Sequence, residues 1–269
     1  MRIPFIKMHG LGNDFVVLDG RREALPEMTS NAAQALADRR EGIGCDQVIA
    51  LEQSAHHAFK MRIFNPDGGE VEACGNAARA IALLHGETAE VETRGGVIHV
   101  SPGEDGAVVD MGVPRFDWTA IPLAYAMDTA ALPVGWGELE NPVAVNVGNP
   151  HVVFFVDHAD GVNLAEIGPQ IEHDPLFPER VNVNVASASG DNHLRLHVWE
   201  RGAGLTRACG TGACASAVAA IRKGLTTSPV TVTLPGGDLT IEWSEGSSIR
   251  MSGPAAEAFR GSFEWDDYA

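Results

Sequence analysis

Apolar and polar residues alternate over short stretches along much of the chain. The period of two predicts strands at 2–8, 14–19, 46–51, 59–65 and 89–93. In the second half the same pattern gives strands at 142–147, 151–156, 181–186, 194–200, 230–233 and 238–243. Helices are expected at 30–39, 75–85, 163–172 and 210–222, with Gly86 and Gly224 suited to the positions just past two of the helix ends. Asp67-Gly68-Gly69, Gly95-Gly96 and Pro235-Gly236-Gly237 read as turns. The helices at 75–85 and 210–222 are apolar nearly all round and rich in alanine, so each should be buried on most faces, with small side chains that let a surrounding sheet approach closely.

The pattern also repeats itself. Lys60-Met61-Arg62-Ile63-Phe64-Asn65 stands 135 residues before Arg195-Leu196-His197-Val198-Trp199-Glu200, and Ala73-Cys74-Gly75 stands 135 before Ala208-Cys209-Gly210. At an offset of 136, Gly12-Asn13-Asp14-Phe15-Val16-Val17 lies over Gly148-Asn149-Pro150-His151-Val152-Val153. Self-similarity at this distance marks two copies of one unit. The expected fold is therefore α/β, of the α+β type, with two pseudo-symmetric domains. Each would be a curved, mostly antiparallel sheet or barrel around a central helix, with the active site in the cleft between them. The first domain should span 1–114, completed by 254–269 after Gly253-Pro254, and the second 115–253.

Charge narrows the function. The 269 residues carry 19 Lys and Arg against 36 Asp and Glu, a formal charge of −17 that disfavours nucleic acid and anionic membranes as partners. The first residues lack the apolar core of a signal peptide, and no apolar run is long enough to span a bilayer, so a cytoplasmic protein is expected. Four cysteines are too few for a disulfide scaffold. Cys209 and Cys214 are five apart, on different helix faces, and no Cys-x-x-Cys pair occurs, so no metal site is expected. Cys45 and Cys214 have no duplicated partner and read as core.

Cys74 and Cys209 each stand at the first turn of a helix, where unpaired N–H groups and the positive end of the dipole should lower a thiol's pKa. Gly75-Asn76 and Gly210-Thr211 follow, offering N–H donors suited to a carboxylate. Two thiols flanking one α-carbon, with the carboxylate held between the helix starts, would supply the base and the acid that inversion of an amino acid requires. No dinucleotide fingerprint, P-loop or zincin motif points to other chemistry, and no cofactor is expected.

Across nearly its whole length the sequence resembles diaminopimelate epimerase. The motifs carrying the resemblance are His9-Gly10-Leu11-Gly12-Asn13-Asp14-Phe15, Gly42-Ile43-Gly44-Cys45-Asp46-Gln47, Phe64-Asn65 with Asp67-Gly68, Cys74-Gly75-Asn76, Gly148-Asn149-Pro150-His151, Arg180-Val181-Asn182, and Glu200-Arg201-Gly202-Ala203-Gly204 leading to Cys209-Gly210-Thr211-Gly212. The resemblance implies a cofactor-independent isomerase interconverting LL- and meso-diaminopimelate, in lysine and peptidoglycan-precursor synthesis. It makes Cys74 and Cys209 the two acid/base groups and gives the reacting carboxylate to Gly75, Asn76, Gly210 and Thr211. Asn13, Gln47, Asn65, Asn149, Asn182, Glu200 and Arg201 would hold the rest of the substrate, with the Arg201 fork on the distal carboxylate. His151 and Glu200 would tune the thiols. Ala77 and Ala80 replace a glycine and a cysteine common in the family, and Phe259 stands where many members place tyrosine at a homodimer contact. Two other readings compete: a racemase of another amino acid, such as histidine, on the same scaffold, and a non-catalytic amino-acid-binding protein in which Cys74 and Cys209 form a redox-sensitive disulfide.

Overall fold

In the computed structural model the chain is a mixed α/β protein whose contacts divide it into two compact units, Met1–Val109 with Gly253–Ala269, and Asp110–Ser252. The structure describes residues 1–72, 74–103 and 106–268.

The chain runs through β1 (Arg2–Gly10), β2 (Asn13–Asp19), α1 (Ser30–Ala37), β3 (Gln47–Glu52), β4 (Phe59–Phe64), β5 (Glu70–Val71), α2 (Gly75–His85), β6 (Ala89–Thr93), β7 (Gly96–Gly103) and β8 (Gly106–Asp110). It continues through the short hairpin β9 (Gly135–Trp136) and β10 (Leu139–Glu140), then β11 (Val143–Asn146), β12 (Pro150–Phe155), α3 (Leu164–Glu172), β13 (Asn182–Ala188), β14 (His193–Glu200), β15 (Gly204–Thr206), α4 (Gly210–Arg222), β16 (Val230–Leu234), β17 (Gly237–Glu242), β18 (Arg250–Gly253) and β19 (Ala256–Glu264).

In the first unit β1 pairs antiparallel with β2, β2 parallel with β3, and β3 antiparallel with β4. The start of β4 then pairs in parallel with β6 and its end antiparallel with β5, and β6 pairs antiparallel with β7. The second unit repeats every step, from β11 and β12 through β13, β14, β15 and β16 to β17. Even the register recurs: Phe15 opposite Gln47 becomes His151 opposite Asn182, and Val48 opposite Phe64 becomes Val183 opposite Trp199. The duplication read from the sequence is thus a duplication of sheet topology. β19 adds to the free side of β1 from Arg2 opposite Glu264 to His9 opposite Ala256.

The second helix of each unit is its centre. α4 packs against β11, β12, β13, β14, β16 and β17, and its residues Gly212–Ala220 are all buried. α2 is buried from Asn76 to Ala82 and packs on β1, β7 and β19. Alanine at most of these positions keeps the helix narrow enough for strands on several sides, and burial of the flanking apolar faces drives the closure. α1 and α3 cover the outside of their sheets, through Ala32, Ala33 and Leu36 in one unit and Leu164 and Ile171 in the other. Gly86 ends α2 in the left-handed region at φ 79°, its N–H on Ala82 O at 2.9 Å, a conformation that a side chain would strain.

Eight strands escaped the alternation rule: β5, β7, β8, β9, β10, β15, β18 and β19. β5, β9, β10 and β15 are two or three residues long, too short for a period. β7 and β19 are mostly exposed, each with one buried residue, Val100 and Phe263, so no apolar alternation marks them.

Candidate active site

Short β5 and β15 lead the chain off the sheet and into the start of the central helix, so each unit sets a cysteine at the N-cap. Cys74 caps α2 and Cys209 caps α4, both in extended backbone. Each tip is completed by side chains from the neighbouring strands.

In the first unit Cys74 is half-buried, and its Sγ donates to Asn13 Oδ1 at 3.8 Å. The same oxygen accepts from Asn76 Nδ2 at 3.1 Å, and Arg79, fully buried, donates to Asn76 Oδ1 at 2.8 Å. The other end of the Asn13 amide is held by Asp46 Oδ2 at 2.9 Å. Asp46 belongs to a charged cluster with Arg39, Asp14 and Lys7. Burial works to raise the Asp14 carboxyl, but bonds from Arg39 and Lys7 outweigh it and hold the group at about 2. Gln47 donates to Asn65 Oδ1 at 3.0 Å, while Gln47 Oε1 is buried with no hydrogen-bond partner among the described residues.

In the second unit the Cys209 sulfur accepts from Gly212 N–H at 3.3 Å and lies 3.5 Å from Thr211 Oγ1. The Glu200 carboxylate, which accepts from Thr206 Oγ1 at 2.5 Å, is close enough for its charge to act on this thiol. Burial pushes the Cys209 thiol well above its ordinary value, and the Glu200 charge pushes the same way. The Thr211 hydroxyl and the Gly212 amide pull it down by less. The helix start was expected to lower this pKa; in a dry site the cost of an unsolvated anion outweighs the first-turn donors, so Cys209 rests as a thiol. Burial also raises Glu200 against the bonds from Thr206 and Cys209.

Asn149 donates to Thr211 Oγ1 at 3.4 Å and takes His151 Nε2 on its own Oδ1 at 2.8 Å. His151 is fully buried, and burial drops it to about 3, so the ring is neutral. Its polar partners are Asn149 and Asn184, and it reaches Cys209 only through other side chains. Asn182 gives Nδ2 to Pro150 O at 2.8 Å and accepts Arg201 N–H at 2.9 Å, fixing where the Arg201 backbone starts. The exposed Arg201 guanidinium donates to Glu179 O at 2.9 Å. Gly75 and Gly210 open the two helices. Among the described residues no group of three or more His, Cys, Asp or Glu side chains is placed to hold a metal ion, and no helix is long and apolar enough to cross a membrane.

The structure thus gathers Asn13, Cys74 and Asn76 at one tip, with Gln47 and Asn65 paired to each other. It gathers Asn149, Glu200, Cys209 and Thr211 at the other, with His151 behind them and Asn182 beneath Arg201. Residues 5–116 and 143–257 match the family model described as diaminopimelate epimerase. The chain belongs to the diaminopimelate epimerase family. It is 71% identical to the diaminopimelate epimerase of Erythrobacter litoralis across 100% of both chains, and 63% identical to that of Sphingopyxis alaskensis across 98% of each. Membership of the diaminopimelate epimerase family makes it an isomerase. Among solved structures, a phenazine biosynthesis protein of the PhzF family from Bacillus anthracis superposes with a TM-score of 0.69 at 16% identity, covering 98% of this chain and 99% of that one. A hydroxyproline epimerase from Agrobacterium vitis gives 0.63 at 14% identity, with 97% and 92% covered. These two share the fold.

Four supporting residues were not singled out from the sequence: Asp46, Arg79, Asn184 and Thr206. Asp46 lies inside a motif that was recognised, and Asn184 shares a strand face with Asn182. Arg79 bonds Asn76 one turn away on its own helix and Thr206 bonds Glu200 six residues before it, but neither residue type marks a site by its spacing alone.

Proposed function

We propose that this chain interconverts LL- and meso-2,6-diaminopimelate without a cofactor, Cys74 and Cys209 serving as the two acid/base groups. The observation that carries the reading is the pair of cysteine-capped helix starts, each finished by an asparagine from the matching strand, in a chain 71% identical to a diaminopimelate epimerase over its full length.

In each turnover one sulfur, as thiolate, takes the α-hydrogen as a proton. The electron pair left on carbon spreads into the carboxylate, held by N–H groups at Gly75, Asn76, Gly210 and Thr211. The other sulfur, as thiol, gives its proton to the opposite face. Inversion is complete and the sulfurs have exchanged roles. Cys209, resting as a thiol, is suited to donate first; before a second substrate of the same hand can react, proton exchange with solvent returns Cys209 to thiol and Cys74 to thiolate.

The substrate's far end supplies the remaining contacts. Arg201 would take the distal carboxylate, while Gln47 Oε1, a buried acceptor with no partner among the described residues, suits an ammonium. Asn13, Asn65, Asn149, Asn182 and Glu200 complete the pocket lining in this reading. Chemistry that depends on reduced thiols supports a cytoplasmic location in this reading. A homodimer through β19 is part of the same proposal, supported by Phe259, which is 52% exposed on that strand.

The test is exchange in deuterated water. Purified, reduced protein should incorporate solvent deuterium at the α-carbon of LL-diaminopimelate, and Cys74→Ser and Cys209→Ser should each abolish turnover. Full turnover in either variant defeats the two-thiol mechanism, and activity only toward monocarboxylic amino acids defeats the substrate.

A further inference from the structure

We propose that Asn184 is a positioning residue for Cys209, the first donor in a line of hydrogen bonds that all run toward the sulfur and hold the Thr211 hydroxyl proton on it. The idea rests on the reading of Cys209 as an acid/base group.

The direction follows from one backbone carbonyl. Asn184 Nδ2 lies 2.9 Å from Val152 O, which can only accept, so the NH2 end of this amide faces that way. The same nitrogen is 3.0 Å from His151 Nδ1, which must therefore be the bare nitrogen of the ring. The neutral ring then carries its proton on Nε2 and donates to Asn149 Oδ1 at 2.8 Å. That contact takes the oxygen end of the Asn149 amide, leaving Nδ2 to donate to Thr211 Oγ1 at 3.4 Å. With a lone pair so engaged, the Thr211 hydroxyl directs its own hydrogen at Cys209 Sγ, 3.5 Å away. Together with Gly212 N–H, it gives the sulfur two donors, which stabilise it most when it has lost its proton.

The duplicated unit supplies the comparison that separates this role from packing. The positions matching His151 and Asn184 are Phe15 and Ile49, both fully buried. The scaffold closes over two apolar side chains in one copy, so the polar pair in the other is not needed for the fold. It is costly as well: Asn184 is fully buried, and its Oδ1 has no hydrogen-bond partner among the described residues. Both units hold an asparagine against the helix tip, but only the second uses a buried imidazole to set which end it presents.

Two measurements decide the matter. Long-range proton–nitrogen spectra of the histidine rings should find His151 in the neutral Nε2–H form near neutral pH, with that lock lost in Asn184→Leu. An Nδ1–H ring or an imidazolium overturns the proposal, whatever the protein's activity. In kinetics, Asn184→Leu should lower kcat about tenfold or more, as expected for a lost bond to a developing anion, with a smaller change in KM. A folded variant with unchanged kcat overturns it too. Should Asn184→Leu fail to fold, His151→Phe with Asn184→Ile, the pair the first unit already accommodates, takes its place under the kinetic criterion, and the wild-type ring spectrum stands alone for the tautomer. Wild-type protein inert toward diaminopimelate would defeat the epimerase reading, while the ring spectra would still decide the hydrogen-bond line.

Discussion

Asn13 and Asn149 occupy matching positions 136 residues apart, yet they turn opposite ends of their amides toward the helix tip beside them. Asn13 presents its oxygen, accepting from Asn76 and from the Cys74 sulfur, because Asp46 holds its NH2. Asn149 presents its NH2 to Thr211, because His151 holds its oxygen. An acceptor beside a thiol favours the protonated sulfur, whereas a donor line ending in a hydroxyl favours the thiolate. The two copies have diverged in polarity while keeping the same residue; on Cys209 the donors only partly offset burial and the Glu200 charge, which leave the resting sulfur protonated.

Removing the Asp46 anchor should release the Asn13 amide. Asp46→Leu is expected to lower kcat about tenfold, a loss on the scale of one hydrogen bond to a charged group. Asp46→Asn keeps an acceptor oxygen and should retain most of the activity. Steady-state kinetics on both variants checks this, and equal activity in Asp46→Leu and wild type would refute it.

The Glu200 charge is one of the forces keeping the proton on Cys209, second to burial. Glu200→Gln removes that charge and leaves the burial, so Cys209 should titrate at lower pH than in the wild type while remaining above an ordinary thiol. Thiolate absorbance, taken as the difference between each protein and its Cys209→Ser counterpart, measures the shift. A Cys209 titration that moves upward, or stays put, contradicts the assignment. Turnover should fall as well, because the glutamine cannot receive the proton that the carboxylate shares with sulfur.

Much of this fold was legible in the sequence because its elements are local. The helices at 75–85 and 210–222 were read to the residue from their alanine runs and their cysteine and glycine boundaries, and the repeat exposed the matched cysteines. What escaped is governed by distance and by solvent. β19 pairs with β1 from Arg2 to His9 with hardly a buried side chain to mark it. The helix-start rule gave the wrong direction for Cys209, since it weighs the first-turn amides but not the loss of water around the sulfur. His151 was recognised from its motif as a group acting on a thiol, whereas its bonds to Asn149 and Asn184 come from side chains that sequence proximity alone could not pair.

A buried neutral histidine also makes stability depend on pH. His151 is pushed down to about 3 in the folded protein, against 6.5 for a solvated ring. Below 6.5 the unfolded chain binds a proton that the folded one refuses, so the contribution is whole above 6.5 and lost as pH falls through about 3. Its size is on the order of 5 kcal/mol. Carboxylates titrate in the same range, so the useful quantity is a difference. The unfolding free energy of wild type minus that of His151→Phe with Asn184→Ile should shrink as pH drops from 6.5 toward 3. Urea denaturation at several pH values reads it, and a difference that is flat or grows on acidification would show that the ring is not held neutral.

The first turn of α4 leaves no room behind Asn184. A Cβ on Gly212 would stand 2.7 Å from Asn184 Oδ1, 2.9 Å from Val198 Cγ2 and 3.3 Å from Cys209 Sγ. Neither the asparagine nor the valine can yield cheaply, since both side chains are buried on paired strands. Gly212→Ala should therefore cost about 1–3 kcal/mol of stability, the usual price of overpacking. It should also displace the amide that begins the donor line and so lower kcat. The first copy supplies the contrast: α2 carries Ala77 at the matching position, fully buried, where Ile49 replaces the asparagine. Ala77→Gly should lose about 1 kcal/mol from helix propensity alone, more with the lost packing, and leave kcat nearly unchanged. Thermal melts and kinetics on the two reciprocal variants separate the effects. A Gly212→Ala protein as stable and as fast as wild type would mean that the close contact between the Cys209 helix and Asn184 has no bearing on the chemistry.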